Sequence, residues 1–168
     1  MAGPKRIDSV LPCLLSRLTD DQPYSAKESI AQRVTSMRKY REAVLGELAD
    51  LLNSKAPPKH DQIYDFPEAS ESVLAYGVRD FSGTTSSDIG AREIESEFEH
   101  AIRLFEQRIG DKSLSVRLVS SSDFGAKRTL ILEIEGELWA LPAPDHLFVK
   151  TELDMETGHC EVGESSNG

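Results

Sequence analysis

The sequence predicts an α+β fold in which N-terminal helices pack on one face of a C-terminal antiparallel β-sheet. In residues 34–105 apolar side chains recur every three or four positions, which is the spacing of one helix face. From residue 114 onward they recur at every second position, which is the spacing of a half-buried strand. Helices that precede the strands, rather than alternating with them, favour separate layers over a parallel sheet.

Two long helices are predicted. The inward stripe of the first consists of Val34, Met37, Arg41, Val44, Leu45, Leu48, Leu51 and Leu52. The stripe of the second consists of Ile94, Phe98, Ala101, Ile102 and Phe105. Each set repeats with the period of an amphipathic helix that covers a core.

A shorter helix is predicted between them. Pro67 suits the first helical position because proline lacks an amide hydrogen that would be left unbonded there. Gly77 is predicted to cap the other end in a left-handed conformation. Val73, Leu74 and Tyr76 would anchor this helix on the core.

Strands are predicted in the C-terminal part. "SLSVRLV" and "TLILEIEGELW" alternate apolar with polar residues, so that Leu130, Leu132 and Ile134 face the core while Glu133 and Glu135 face away. "LFVKTELD" and "HCEV" form a hairpin through "METG". Trp139 is predicted to close one end of the core, because large aromatic side chains are mostly buried.

The length of 168 residues fits one domain with a substantial core. We predict an N-terminal arm over residues 1–30, a single domain over residues 31–162 and a disordered tail over residues 163–168. The basic start lacks the apolar run of a secretion signal, and no stretch approaches the roughly 20 apolar residues of a membrane helix. We therefore expect a cytoplasmic protein without direct membrane insertion.

The charge balance argues against nucleic acid as a partner. Asp and Glu number 29 against 19 Lys and Arg, which gives a formal net charge of −10. Proteins that bind a phosphate backbone need clustered Lys and Arg to release its counterions. An excess of carboxylates disfavours that contact.

No cofactor, metal or small-molecule substrate is predicted. His60, His100, His146 and His159 show none of the paired spacings of a metal site, and the adjacent Cys160 points away from His159 if both lie in a strand. No serine lies in a GxSxG motif, and the glycines of "VRDFSGTTSSDIGARE" lack the lysine of a phosphate-binding loop.

Glu106 is the one candidate for enzymatic chemistry. It lies at the C-terminal end of the second long helix, where the helix dipole disfavours a negative charge, so its carboxyl group could act as the general acid of a glycosidase. The alternative is an ion pair with an arginine, which would give Glu106 a structural role. The residues alone leave both open.

Several segments, in order, resemble the TssE family of type VI secretion baseplate wedge proteins, part of a phage tail baseplate family historically labelled lysozyme-like. They are "LLSRL", "REAVLGELADLLNSK", "ESVLAYGVRDFSG", "AIRLFEQRI" and "LEIEGELWALPAPDHLFVKTELDMETG". The resemblance implies a structural subunit without enzymatic activity. It also implies partners among the other wedge subunits and the tail sheath proteins, at the cytoplasmic face of the inner membrane.

The resemblance implies partner-binding residues at the end of the second long helix. The family's Glu-Pro-Arg signature corresponds here to Glu106, Gln107 and Arg108, so this chain departs from it at the middle position. Proline would force Glu106 out of the helix and let the two charges face one way. With Gln107 either the helix still ends at Glu106, or it continues and separates the two charges. A second departure is Ala75, where the family has Asn.

Overall fold

The computed structural model describes residues 37–84, 90–124, 127–139 and 144–164. The predicted arm, residues 1–30, lies outside these ranges, as do residues 165–168 of the predicted tail. Within them two long helices precede a four-stranded antiparallel sheet, so the predicted α+β fold is confirmed. None of the helices in these ranges is both long and apolar enough to cross a membrane.

Helix α1 spans Met37–Asn53 and buries one face. The buried residues are Tyr40, Val44, Leu48, Leu51 and Leu52. Arg41, predicted in the stripe, instead bonds Asp145 Oδ2 and the His146 carbonyl, each at 2.8 Å. Tyr40 takes the inward position because its ring can be buried while its hydroxyl finds a partner.

The last residue of α1 connects this helix to the sheet. Asn53 Nδ2 donates to the carbonyl oxygens of Ala49 at 2.8 Å and Cys160 at 2.9 Å. Asn53 Oδ1 accepts from the Cys160 amide at 3.0 Å. The side chain thus satisfies one carbonyl at the helix end and both backbone groups of Cys160.

The region between the long helices departs from the prediction. Pro67 begins helix α2, Pro67–Ser70, but this helix ends after one turn and is flanked by 3-10 turns over Gln62–Asp65 and Val73–Ala75. Val73 and Leu74, predicted to be anchors, are 80% and 67% exposed.

Gly77 has φ of +121°, but it does not cap a helix. The chain instead turns back along the end of α1, where Val78 N–H bonds the Ser54 carbonyl at 2.9 Å and Ala56 N–H bonds the Val78 carbonyl at 3.1 Å. A Cβ at Gly77 would overlap the Ser54 carbonyl group.

Helix α3 spans Ala91–Phe105 and confirms its predicted stripe. Ile94, Phe98, Ala101 and Ile102 are buried, and Phe105 is partly buried. Phe105 meets the ring of Tyr76 edge to face with centroids 5.1 Å apart. The last turn of α3 is therefore held by the chain that follows the exposed 3-10 turn.

The sheet is a meander of four antiparallel strands in chain order: β1 (Ser115–Phe124), β2 (Lys127–Leu138), β3 (Asp145–Asp154) and β4 (Cys160–Glu164). The predicted alternation along β2 and the predicted hairpin between β3 and β4 are both present. Strand β4 extends to Glu164, two residues into the segment predicted as a tail. Helices α1 and α3 pack on each other and on β4 and β1 respectively, so the core lies between the helices and one sheet face.

Candidate partner-binding site

Helix α3 ends at Phe105, and Glu106 is its C-terminal cap. The Glu106 amide still bonds the Ile102 carbonyl at 2.8 Å, but its φ of −115° and ψ of 71° are not helical. The Glu106 carbonyl then accepts from Ile109 N–H at 3.1 Å, which closes a tight turn. Of the two alternatives left open by the sequence, the chain adopts the one in which the helix ends without proline.

Ending the helix here lets Glu106 and Arg108 pair. Arg108 Nε donates to Glu106 Oε1 at 2.6 Å, and Arg108 Nη2 bonds Glu106 Oε2. The backbone N–H of Arg108 also donates to Glu106 Oε1, at 3.2 Å. A forked pairing of this kind adds geometric specificity as well as energy to a charge-assisted contact. Both Glu106 oxygens are therefore engaged.

Glu47, on α1, is a third member of the ion pair. Its Oε2 lies 2.5 Å from Arg108 Nη2. Side-chain exposure rises outward, from 6% for Glu106 to 21% for Arg108 and 40% for Glu47. Burial, the largest single influence, lowers the pKa of Arg108, but the hydrogen bonds and charges of Glu106 and Glu47 together raise it above its ordinary value. Arg108 therefore stays cationic and joins α1 to the end of α3.

Backbone hydrogen bonds hold the turn after α3 against the end of β2. Gly110 N–H bonds the Glu137 carbonyl at 2.8 Å, and Trp139 N–H bonds the Arg108 carbonyl at 2.7 Å. On the other side, the Tyr40 hydroxyl donates to the Trp139 carbonyl at 3.1 Å. Burial raises the pKa of Tyr40, which keeps this donor protonated. Three separate parts of the chain thus fix the position of Arg108.

Two side chains beside the buried ion pair, those of Trp139 and Gln107, are exposed to solvent. Trp139 is 70% exposed, so the prediction that it closes the core is wrong. Its backbone is bonded to Arg108 and Tyr40, while Leu138 before it takes the core position. Gln107 is also exposed. The site therefore has a buried ionic centre and an exposed amide and indole.

The arrangement is poorly suited to glycoside hydrolysis. A glycosidase needs two carboxyl groups on either side of an accessible sugar. Here Glu106 is buried with both oxygens bonded to Arg108, and Glu47 is bonded to the same guanidinium. A cavity of about 350 Å³ lies elsewhere, between α3 and the turn region, and the one carboxylate among its described lining residues, Glu97, is paired with Lys59.

In the described ranges, no three His, Cys, Asp or Glu side chains come together as metal ligands. His146, for example, pairs with Glu135 at 3.0 Å across two strands. This contact between neighbouring strands gives His146 an ordinary polar partner.

Comparison with known protein families gives a match. The family of baseplate wedge protein gp25 matches residues 38–143, which is more than half of the chain. This chain belongs to the gp25 baseplate wedge family. The match includes α1 from its second residue, all of α3, the Glu106–Arg108 turn and the first two strands. The gp25 family is a structural one, whose name places it in a phage-tail-like baseplate. No curated protein and no solved structure matched the sequence.

Glu47, Tyr40 and the exposed position of Trp139 were not predicted from the sequence. Glu47 lies 61 residues from Arg108, on a helix whose polar face carries several other charges. The spacing of Tyr40 before Val44 and Leu48 was an available signal, because it extends the inward stripe by one turn. No comparable signal indicated which carboxylate would reach Arg108.

Proposed function

We propose that this gp25-family chain is a structural baseplate subunit of a type VI secretion machine, where it joins other wedge subunits and helps to initiate sheath assembly. The observation that carries the proposal is the Glu47–Arg108–Glu106 ion pair, which fixes the turn after α3 in one position. The ordered likeness of five segments to the TssE family supports the type VI assignment. A machine of this kind needs rigid contact surfaces between subunits.

Glu106 and Gln107, two residues of the predicted site, and the neighbouring Trp139 take different parts in this proposal. Glu106 is too buried to meet a partner, so it holds Arg108 and the turn in place. Gln107 is exposed and would contact the partner directly. The exposed indole of Trp139 adjoins the same turn through its bond to the Arg108 carbonyl, and aromatic side chains of this kind often dominate interface energies.

The remaining parts of the proposal follow from the family and from charge. We place the assembled protein at the cytoplasmic face of the inner membrane, without direct insertion. The proposed partners are wedge subunits and sheath proteins, with no nucleic acid, small-molecule substrate or cofactor. The excess of 29 acidic over 19 basic residues supports the exclusion of nucleic acid. We propose no enzymatic activity.

Substitution at the turn tests this function. Gln107→Asp alters only an exposed side chain, whereas Glu106→Ala with Arg108→Ala removes the paired charges. We expect both to reduce sheath assembly, observed as fluorescent sheath structures in cells, and the double variant to reduce it further. Circular dichroism and urea unfolding of the purified variants establish that each is folded. Lys112→Asp, an exposed change in the next loop, is the matched control.

Normal sheath assembly by a folded Glu106→Ala/Arg108→Ala variant would show that the ion pair is not needed for the proposed contact. The alternative function, a glycoside hydrolase with Glu106 as general acid, is tested with purified peptidoglycan. We expect no turnover by the folded protein at any pH between about 4 and 8, the range in which such carboxyl pairs operate. Turnover that disappears in Glu106→Gln would favour the hydrolase.

A further inference from the structure

The turn region between α1 and α3 exposes three apolar side chains that folding does not bury. Phe66 is 63% exposed, Val73 is 80% exposed and Leu74 is 67% exposed. They lie within nine consecutive residues: Phe66 immediately precedes α2, and Val73 and Leu74 lie in the 3-10 turn that follows it and packs on it. We call these three residues the apolar patch. Neighbouring exposed apolar residues of this kind often mark a protein interaction site.

The charged side chains that neighbour the apolar patch in the sequence, which we call the rim, all carry a negative charge. Asp61, Asp65, Glu68 and Glu71 are all exposed, and no Lys or Arg occurs between Lys59 and Arg79. Asp65, Glu68 and Glu71 have no cationic partner among the described residues, while Asp61 accepts the N–H of Ile63 at 2.9 Å. The rim therefore adds uncompensated negative charge to the segment that carries the apolar patch.

The backbone of the patch is held in place. Ser72 Oγ accepts from Leu74 N–H at 3.2 Å, and Ala75 N–H bonds the Ser72 carbonyl at 3.0 Å. Immediately afterwards Ala75 is buried, and the chain joins the end of α1 through Val78. The Tyr64 hydroxyl donates to the Pro57 carbonyl at 3.0 Å. The patch thus loses little conformational freedom when a partner binds.

We propose that the apolar patch docks a segment of another baseplate subunit that presents apolar side chains flanked by Lys or Arg. The partner's membership of a baseplate rests on the proposed function. Its chemistry rests on the patch, because apolar side chains would fill the exposed centre and cations would complement the carboxylate rim.

Charge also favours a basic partner segment over two other possible occupants of the apolar patch, a second copy of the chain and its own residues 1–30. A second copy that used the same face would set one acidic rim against another, and like charges in contact oppose association. The chain's own residues 1–30 contain four Lys or Arg and four Asp or Glu, so they offer no net complement to the rim. A basic segment of a different protein fits best.

Photo-crosslinking from inside the assembled complex tests the occupant. Benzoylphenylalanine replaces Val73, whose exposure makes the substitution compatible with the fold, and replaces Lys112 in a control chain. Each chain is expressed with the wedge subunits of its own host, irradiated and digested for mass spectrometry. The expected Val73 product is a peptide of another baseplate subunit with at least two Lys or Arg beside apolar residues, absent from the Lys112 control. Products with residues 1–30, with a second copy or with no protein would overturn the proposal.

Binding measurements test the chemistry of the patch separately. Val73→Asp with Leu74→Asp, and Glu68→Lys with Glu71→Lys, should each weaken binding to the purified wedge complex about tenfold or more. Binding by the wild type should weaken as NaCl rises from about 0.1 M to about 0.5 M, and the Lys variant should lose most of that dependence. Val119→Asp, which changes a 53% exposed side chain on β1, is the control.

The outcomes distinguish this inference from the function on which it rests. A wild-type chain that enters the wedge complex, with patch variants that enter it equally well, would overturn the docking proposal alone. A wild-type chain that binds no wedge subunit would overturn both.

Discussion

The guanidinium of Arg108 lies 2.5 Å from the carboxylate of Glu47, a residue 61 positions earlier in the chain. This contact connects the middle of α1 with the turn that follows α3. The same guanidinium is bonded twice by Glu106, so one arginine serves two carboxylates of unequal exposure. Because Glu106 is far more buried than Glu47, we expect the two carboxylates to contribute unequally to the stability of the protein.

Glu106→Gln should destabilise the protein by about 3 kcal/mol, because removal of one member of a buried ion pair leaves the other poorly compensated. Glu47→Gln should cost about 1 kcal/mol or less, since the Glu47 side chain is 40% exposed and water screens its charge. Urea unfolding of both variants gives the comparison. Glu106→Leu combined with Arg108→Met should be less damaging than Glu106→Gln alone. Equal losses at Glu47 and Glu106 would contradict the assigned order of burial.

Gln107→Pro should be tolerated and stabilise the fold by about 0.5 kcal/mol. Helix α3 has already ended, and in the described part of the chain the Gln107 N–H donates no hydrogen bond that proline would remove. Proline also restricts the unfolded chain. Thermal unfolding measures the change, with Gln107→Ala as the control for loss of the side chain. A fall in stability of more than about 1 kcal/mol would show that residue 107 cannot adopt the backbone angles of proline.

Gly77→Ala should destabilise the protein by about 2 kcal/mol or more. The residue has φ of +121°, and a Cβ there would overlap the Ser54 carbonyl, which accepts the Val78 amide. Gly46→Ala is the matched control, because Gly46 lies within α1 with nothing near its Cβ position. That change should stabilise the helix by about 0.5 to 1 kcal/mol. Chemical denaturation of both proteins tests the difference in sign.

The stability of the protein should fall at alkaline pH through Cys160. Burial raises the pKa of this thiol from its ordinary 9.0 to about 11. As pH rises above 9.0 the unfolded chain ionises first, so the free energy of unfolding decreases until the pH passes about 11. Cys160→Ala should remove this part of the pH dependence. Unfolding of both proteins between these two values measures it, and identical slopes would contradict the prediction.

Much of the fold could be predicted from the sequence because its elements have clear periods. The stripe of α3 and the alternation along β2 reflect local geometry, in which side chains three or four apart on a helix, or two apart on a strand, share a face. The end of α3 near Glu106 was one of two predicted alternatives. Residues 1–30 lie outside the described ranges, so that predicted arm remains a prediction.

Burial in the turn region and at the end of β2 could not be predicted from residue type. Val73, Leu74 and Trp139 are apolar, yet each is more than half exposed. The buried positions of this segment are taken by Ala75 and Val78, the second of which is bonded to the end of α1. Trp139 is excluded because Leu138 already occupies the inward position at the end of β2.

The sequence by itself determined the order of helices and strands and most of the apolar faces that form the core, but it left two alternatives for the end of α3 at Glu106. Only the tertiary structure decided that Glu47 shares Arg108 with Glu106 and that Tyr40 holds the Trp139 carbonyl. Periodicity depends on neighbours within one element, so it is written in the local sequence. A contact between residues 61 or 99 positions apart depends on how complete elements pack, and many pairings of charged residues satisfy the same local pattern.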